Sequence, residues 1–108
     1  MKRLLLIAAL LAVPTGAALA EVMPIGDLRR GMMATVEGKV ERITDEDEFI
    51  LADVTGDIRI YIGPNAMPVR IGDAVRVEGV VDDGLRKEIY ADRITMADGS
   101  VVTLPRRY

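Results

Sequence analysis

The sequence FILADVTGDIRIYI, residues 49–62, predicts a β-hairpin and with it an all-β fold. Two apolar, β-branched runs, Phe49–Val54 and Ile58–Ile62, flank a Thr-Gly-Asp turn, and glycine tolerates the positive φ that such a turn requires. The carboxylate of Asp53 is predicted to cap this turn. In the second run, isoleucines alternate with Arg59 and Tyr61, and this period of two is typical of a half-buried strand. The hairpin is therefore predicted to bury its isoleucines and to present Arg59 and Tyr61 on the opposite face.

Further segments extend this pattern on both sides of the hairpin. Ahead of it, Met32–Ile43 alternates apolar and polar residues, and a polar loop, Thr44–Glu48, follows. After it, residues 63–73 contain two prolines and two glycines, which interrupt the sheet and leave room for at most one helical turn. Two more alternating runs, Ala74–Val81 and Glu88–Met96, are predicted as the fourth and fifth strands. Residues 100–105 are predicted either to add a short edge strand or to pack along the barrel.

The tripeptide Val-Glu-Gly occurs twice, at residues 36–38 and 77–79. The flanking residues do not repeat, which argues against a duplicated domain. Both glycines fall in register with inward-facing valines, and a glycine inside a strand often marks a bulge, a bend or a close approach of two backbones. We therefore expect Gly38 and Gly79 to bend two neighbouring strands so that one barrel closes.

Five short strands, with the longest break between the third and the fourth, are typical of a small β-barrel. We predict a five-stranded OB-fold Greek-key barrel over residues 32–105, with a vestigial helix between strands 3 and 4. An SH3-like barrel is the alternative. Residues 21–31 are predicted as a lead-in, in which Pro24–Gly31 supplies one helical turn that plugs an end of the barrel, and residues 106–108 as a C-terminal tail.

Residues 1–20 have the three-part pattern of a cleavable signal peptide: a basic start, the apolar run LLLIAALLAV and an Ala-Leu-Ala site. The run is too short to span a bilayer as a helix, and no cysteine is present for lipid attachment after the cut. We expect cleavage after Ala20, export to the periplasm and no membrane insertion. Removing 20 of the 108 residues leaves 88, one small domain with 12 basic against 17 acidic side chains and a net charge of −5.

Three segments between Met32 and Thr95 resemble the bacterial OB-fold (BOF) family of small periplasmic stress-tolerance proteins: VEGKVERITDEDEFILADVTGDIRIYI, GDAVRVEGVVDD and IYADRI. The most specific piece is the hairpin with its Asp-x-Thr-Gly turn, and the signal peptide matches as well. The resemblance implies an OB-fold and a binding role in tolerance of envelope stress. It assigns no catalytic residue and no cofactor to any position of this chain.

The composition argues against catalysis and against binding of nucleic acid. The chain has no histidine and no cysteine, which removes the commonest general base, thiol nucleophiles and the usual zinc and copper ligands. We therefore predict no enzymatic activity, no cofactor and no transition-metal site. An acidic domain with one Phe, three Tyr and no Trp also lacks the basic groove and stacking platform of a nucleic-acid binder.

The candidate binding surface follows from the predicted fold, because OB-folds bind oligosaccharides on the face of strands 2 and 3 and on the loops that flank it. Tyr61 offers a flat apolar ring and Arg59 a forked donor for a carboxylate. The alternative is an ordinary solvent-facing sheet on which Arg59 pairs with a nearby acid. The predicted ligand-binding residues are Ala52, Arg59 and Tyr61 from the sheet and Asp82, Asp83, Arg86 and Lys87 from the loop between strands 4 and 5.

The loop between strands 1 and 2 is a candidate for attracting cations through its carboxylates, although a solvated acidic loop is the alternative. Its acidic residues are Asp45, Glu46 and Asp47. The expected partner is a small envelope ligand, either a cell-wall sugar or a cationic species. The competing hypothesis is a structural or adaptor domain that docks on an envelope or outer-membrane protein.

Overall fold

The computed structural model describes residues 21–105, so the predicted signal peptide and the tail at residues 106–108 lie outside the described part of the chain. The described residues are all-β apart from one 3₁₀ turn at Ile25–Asp27. Among them, no helix has the length and apolar character needed to cross a bilayer. The strands are β1 Met33–Asp45, β2 Glu48–Asp53, β3 Gly56–Tyr61, β4 Ala74–Val81, β5 Glu88–Met96 and β6 Val101–Thr103.

Strands β1 to β5 form a closed barrel. The hydrogen-bonded order is β3-β2-β1-β4-β5-β6, with antiparallel neighbours throughout. A parallel pairing of β3 with β5, residues 59–61 against residues 88–90, closes the sheet on itself. The first half of β1 pairs with β4 and its second half with β2. This topology confirms the predicted OB-fold Greek-key barrel, to which β6 adds a short strand at the edge of β5.

Alternating side chains fill the barrel as the sequence predicted. Ile58 and Ile60 are buried, and Leu51 and Phe49 on β2 pair with them and are fully buried. Thr35, on the polar face of β1, is buried as well. The lead-in runs beside β1 at this residue, because the Met23 N–H donates a hydrogen bond of 2.8 Å to the Thr35 carbonyl.

Gly38 and Gly79 lie where neighbouring strands approach each other closely, as their repeated tripeptide predicted. A Cβ on Gly38 would meet the carbonyl oxygen of Ala52 on β2. A Cβ on Gly79 would overlap the carbonyl oxygen of Tyr90 on β5, and a register shift between β4 and β5 falls directly before Gly79. The two glycines therefore allow the close strand contacts that the curved barrel requires.

The prediction of a vestigial helix between β3 and β4 is wrong. Residues 63–73 form bends and turns without a helical segment, and Gly63 and Gly72 adopt positive φ angles of 69° and 94°. Val69 in this segment is nevertheless buried in the barrel core. A helical turn occurs instead in the lead-in, as predicted for that segment, and Ile25 and Leu28 are buried in the same core.

Asp53 joins the lead-in to the β2–β3 hairpin. Its Oδ1 accepts hydrogen bonds from the Thr55 hydroxyl and from the N–H groups of Thr55 and Gly56, at 2.7 and 3.1 Å, and so caps the turn as predicted. Its Oδ2 accepts the Ile25 N–H at 2.9 Å, and the Gly26 N–H donates to Thr55 Oγ1 at 2.8 Å. Burial alone would raise the pKa of Asp53, but these hydrogen bonds outweigh it and lower the pKa below its usual value.

Replacing Asp53 by alanine is expected to lower the free energy of unfolding at neutral pH by about 2 kcal/mol, because charge-assisted hydrogen bonds are lost. Since the folded-state pKa is depressed, this stabilisation is present above the unfolded-state pKa and is lost as the pH falls through the folded-state value. Urea denaturation at a series of pH values measures both effects. Asp98→Ala is the matched control, because Asp98 caps a turn at Ser100. Equal losses in both variants would contradict a role for the link to Ile25.

Candidate functional site

Four charged side chains meet beside β3 on the outside of the barrel, and we call them the charge cluster: Glu48 on β2, Arg59 on β3, Arg86 in the loop between β4 and β5, and Glu88 on β5. Arg59 Nη1 donates to Glu48 Oε1 at 2.9 Å, and Arg86 Nη2 lies 3.9 Å from Glu48 Oε2. Glu88 lies beside Arg59 because the parallel pairing of β3 and β5 places these residues opposite each other. The side chains of Arg59 and Glu48 are 27% and 17% exposed, so their ion pair is partly shielded from water.

Of the two predictions for Arg59, the structure supports the one in which this arginine pairs with a nearby acid. Arg59 points away from the barrel core, as predicted, but its guanidinium is held by Glu48. A ligand carboxylate would have to compete with Glu48 for this donor. The charge cluster is consequently less suited to an anion than the sequence alone indicated.

Tyr61 and Tyr90 form an aromatic pair next to the charge cluster. Their ring centroids are 5.5 Å apart and their planes are tilted by 57°. Tyr61 lies opposite Tyr90 across the parallel seam and opposite Glu48 across the β2–β3 pairing. Both tyrosines are half-buried. Such a pair can cover the apolar side of a sugar ring or contact a cationic group.

Glu88, which no sequence pattern indicated, is the most unusual member of the cluster. The residue is 9% exposed, and its buried Oε1 has no hydrogen-bond partner among residues 21–105. Burial raises the pKa of Glu88; the charge of Arg86 lowers it, those of Glu48 and Asp82 raise it, and that of Arg59 lowers it. The net result is a pKa above the usual value, so the neutral carboxyl fits this environment better than the charged one.

Replacing Glu88 by glutamine is expected to raise the free energy of unfolding at neutral pH, because a neutral amide keeps the shape without a buried charge. The raised folded-state pKa means that the stabilisation from protonated Glu88 is present below the unfolded-state pKa and is lost as the pH rises through the folded-state value. The advantage of Glu88→Gln should therefore shrink in acid. Thermal denaturation across this pH range measures it.

The matched control for this substitution is Glu78→Gln, because Glu78 is a half-buried glutamate on β4 whose carboxylate lies 3.7 Å from Arg93. It should not gain stability at neutral pH, since its charge is paired. A Glu88→Gln protein that melts below the parent at neutral pH would contradict the environment described for Glu88.

The loop between β4 and β5 contributes unevenly to the site. Arg86 reaches the charge cluster, and Asp82 lies close enough to raise the pKa of Glu88. Asp83 and Lys87 are exposed. Arg30 of the lead-in anchors the loop, because its guanidinium donates to two loop carbonyl oxygens at 2.9 and 3.3 Å, those of Gly84 and Leu85.

Ala52 lies away from the other predicted ligand-binding residues. It is four residues from Glu48 along β2, a separation of roughly 13 Å at the usual rise of a strand. Ala52 instead lines an apolar groove of about 1040 Å³ between β1, the β2–β3 turn, the start of β4 and the end of β5. Val54 and Ile71 also line this groove and are exposed.

The acidic loop contributes two residues to a smaller cleft. Glu46 and Asp47 line it together with Tyr61 and Met67, and its volume is about 690 Å³. The Asp45 carboxylate accepts the Glu46 N–H at 2.8 Å. Within the described part of the chain, no three acidic side chains are arranged so that they could hold a metal ion. The loop therefore borders the Tyr61 side of the candidate face without forming a metal cage.

The barrel topology places this chain in the class of small OB-fold barrel proteins, in which the β2–β3 face commonly binds ligands. No protein-family model matches the chain, and no curated protein does. A solved structure with a similar fold is that of the hypothetical protein ygiW from E. coli. The two share 23% sequence identity over 72% of this chain and 91% of that chain, with a TM-score of 0.58. At this level of identity the similarity establishes a shared fold.

Proposed function

We propose that this chain is an exported, non-catalytic OB-fold binding protein of the BOF type, with a role in tolerance of envelope stress. It binds a small envelope ligand, a cell-wall sugar or a cationic species, on the outer face of β2 and β3. The observation that carries this proposal is the charge cluster beside the Tyr61–Tyr90 pair. Polar groups that orient a ligand and an aromatic surface that covers its apolar side lie in one patch.

The position of this patch supports the same proposal. The loop that carries Arg86 borders it on one side, and the cleft at Glu46 and Asp47 adjoins it at Tyr61. These are the loops between strands 4–5 and 1–2, which flank the binding face of OB-folds. The absence of histidine and cysteine from the sequence favours binding over catalysis.

Chemical-shift mapping of the protein with peptidoglycan fragments and with a cationic peptide tests the proposal. We expect the shifts to concentrate at the amides of the charge cluster and of Tyr61 and Tyr90. Tyr61→Ala is expected to weaken binding about tenfold, because ring contacts of this kind contribute about 1–1.5 kcal/mol. Arg59→Ala is also expected to weaken binding, since Glu48 loses the partner that orients its carboxylate.

Arg76→Ala is the matched control for Arg59→Ala. Arg76 on β4 also pairs with a glutamate, Glu37, at 2.7 Å, but it lines the apolar groove and not the patch. The Arg76→Ala protein is expected to bind the ligand with the affinity of the parent protein. Shifts that cluster away from Arg59 and Tyr61, or a Tyr61→Ala protein with parental affinity, would exclude this face as the site.

An adaptor role is the second candidate function, and the apolar groove with exposed Val54 and Ile71 favours it. Affinity capture from envelope extracts separates the two candidates. A stoichiometric protein partner that persists with Arg59→Ala/Tyr61→Ala but is lost with Val54→Asp would favour the adaptor role. Because Val54 is exposed in a turn, Val54→Asp should leave the fold intact.

A further inference from the structure

A single glutamate engages both arginines of the charge cluster. Arg59 contacts one oxygen of Glu48 at 2.9 Å, and Arg86 approaches the other at 3.9 Å. Glu88, the register partner of Arg59, keeps a buried oxygen without a hydrogen-bond partner in the described residues. A buried polar atom without a hydrogen-bond partner destabilises the fold. Such groups are rare in native folds, and a ligand-binding role is a physical reason to retain one.

The unsatisfied oxygen indicates the chemistry of the missing ligand. The ionised carboxylate of Glu88 only accepts hydrogen bonds, so the ligand group complementary to that form is a donor. The surroundings favour a positively charged donor. Together, the two flanking loops and the strand residues Glu48, Arg59 and Glu88 contain seven acidic and three basic side chains. These are Asp45, Glu46, Asp47, Glu48, Asp82, Asp83 and Glu88 against Arg59, Arg86 and Lys87. The rings of Tyr61 and Tyr90 add faces that attract cations.

Arg86 shows where a cation fits in the cluster. Its side chain is 57% exposed and reaches Glu48 Oε2 from a surface loop at 3.9 Å. An exposed ion pair of this length contributes little to stability, so a ligand can displace Arg86 at small cost. The charge of Arg86 also acts on Glu88. Arg86 thus occupies the region in which a ligand cation would meet both carboxyl groups.

We propose that the charge cluster is a binding site for a protonated amine, whose ammonium group replaces Arg86 between Glu48 and Glu88. This inference rests on the proposed function, since it uses the same face, and it narrows the ligand class to cations. Glu88 is faced by Glu48 from β2, by Arg59 from β3 and by Asp82 and Arg86 from the loop. Glu88 must lose its proton to pair with the ammonium, so binding strengthens as the pH rises through the raised pKa of Glu88.

Titration of the purified protein with spermidine at low ionic strength, followed by NMR and calorimetry, tests this inference. We expect shifts at the amides of Glu48 and Glu88. Arg86→Ala should bind spermidine about threefold more tightly, because the internal cation no longer competes. Arg93→Ala serves as the matched control with parental affinity, because Arg93 is 54% exposed, lies 3.7 Å from Glu78 and is roughly 16 Å from Glu88 along β5. Glu88→Gln should weaken binding about tenfold while melting above the parent, so the loss cannot come from unfolding.

The outcomes distinguish failure of this inference from failure of the proposed function. If neutral chitotriose shifts the cluster amides and spermidine does not, the proposed function stands and amine recognition is excluded. Weaker spermidine binding in Arg86→Ala, or parental affinity in Glu88→Gln, also overturns the amine site. If neither spermidine nor chitotriose perturbs the cluster, both the amine site and binding at this face are rejected.

Discussion

Replacing Gly79 by valine is expected to lower the free energy of unfolding by about 3 kcal/mol or more. A Cβ at this position would overlap the carbonyl oxygen of Tyr90 and lie 2.9 Å from the Cα of Ala91. Both obstacles are backbone atoms of β5, which cannot rotate away as a flexible side chain can. Valine therefore forces β4 away from β5 next to the register shift that curves this strand pair.

Thermal denaturation measures this loss, which corresponds to a decrease in Tm of about 15 °C for a domain of this size. Gly84→Val is the matched control, because the nearest atom to its Cβ belongs to the flexible carboxylate of Asp82, at 3.2 Å. Gly38→Val should resemble Gly79→Val, since its Cβ meets the Ala52 carbonyl. If the Tm of Gly79→Val equals that of the parent protein, the glycines of the repeated tripeptide do not determine the bend of the barrel.

Replacing Phe49 by alanine is expected to lower the free energy of unfolding by about 3–5 kcal/mol. Phe49 is the one phenylalanine of the chain and is completely buried, between Ile43 on β1 and Ile60 on β3. Alanine removes its apolar surface from the core and leaves a cavity that strands fixed by hydrogen bonds cannot fill. In a domain with a modest core, this loss is a large part of the total stability.

Denaturation of a graded series keeps this prediction measurable if Phe49→Ala fails to fold. Phe49→Leu should lose about 1 kcal/mol, because it retains most of the buried volume. Val54→Ala is the control, since Val54 is fully exposed. Equal stability of Phe49→Ala and Val54→Ala would contradict the position of Phe49 in the core.

Gly79→Val and Phe49→Ala are expected to lower the free energy of unfolding, whereas Glu88→Gln is expected to raise it. Gly79→Val and Phe49→Ala weaken the scaffold, so any effect on binding follows from lost structure. Glu88→Gln is expected to stabilise the scaffold and to weaken ligand binding. Opposite effects on stability and on affinity are typical of a residue retained for function at the expense of stability.

Much of the fold could be predicted because strand formation depends on local alternation. The isoleucines of β3, the Asp53 turn cap and the two mid-strand glycines all lie where the sequence pattern placed them. The vestigial helix was not found, since positive φ angles at Gly63 and Gly72 favour turns over a helix in that segment. Glu48 was predicted to lie in a loop, but it is the first residue of β2. Its pairing with Tyr61 extends the hairpin beyond the apolar run.

The sequence pattern placed Arg59 and Tyr61 on the outward face of β3, but it did not indicate how the charges on that face are paired. Arg59 was considered as a donor to a ligand carboxylate, with pairing to a nearby acid as the alternative, and the structure shows it paired with Glu48. Glu88 carried no signal, because a glutamate before an apolar run is ordinary at the start of a strand. Its burial and its unsatisfied oxygen arise from neighbours on β2, β3 and the preceding loop.

By itself, the sequence determined which segments are strands, which side chains enter the core and where the chain turns, since all three depend on neighbours a few residues apart. Only the tertiary structure decided that β3 and β5 pair in parallel. That pairing places Arg59 next to Glu88 and Tyr61 next to Tyr90. It thereby buries a Glu88 oxygen that has no hydrogen-bond partner in the described residues. Burial and pairing of a charge depend on every element around it, and no local period in the sequence records that arrangement.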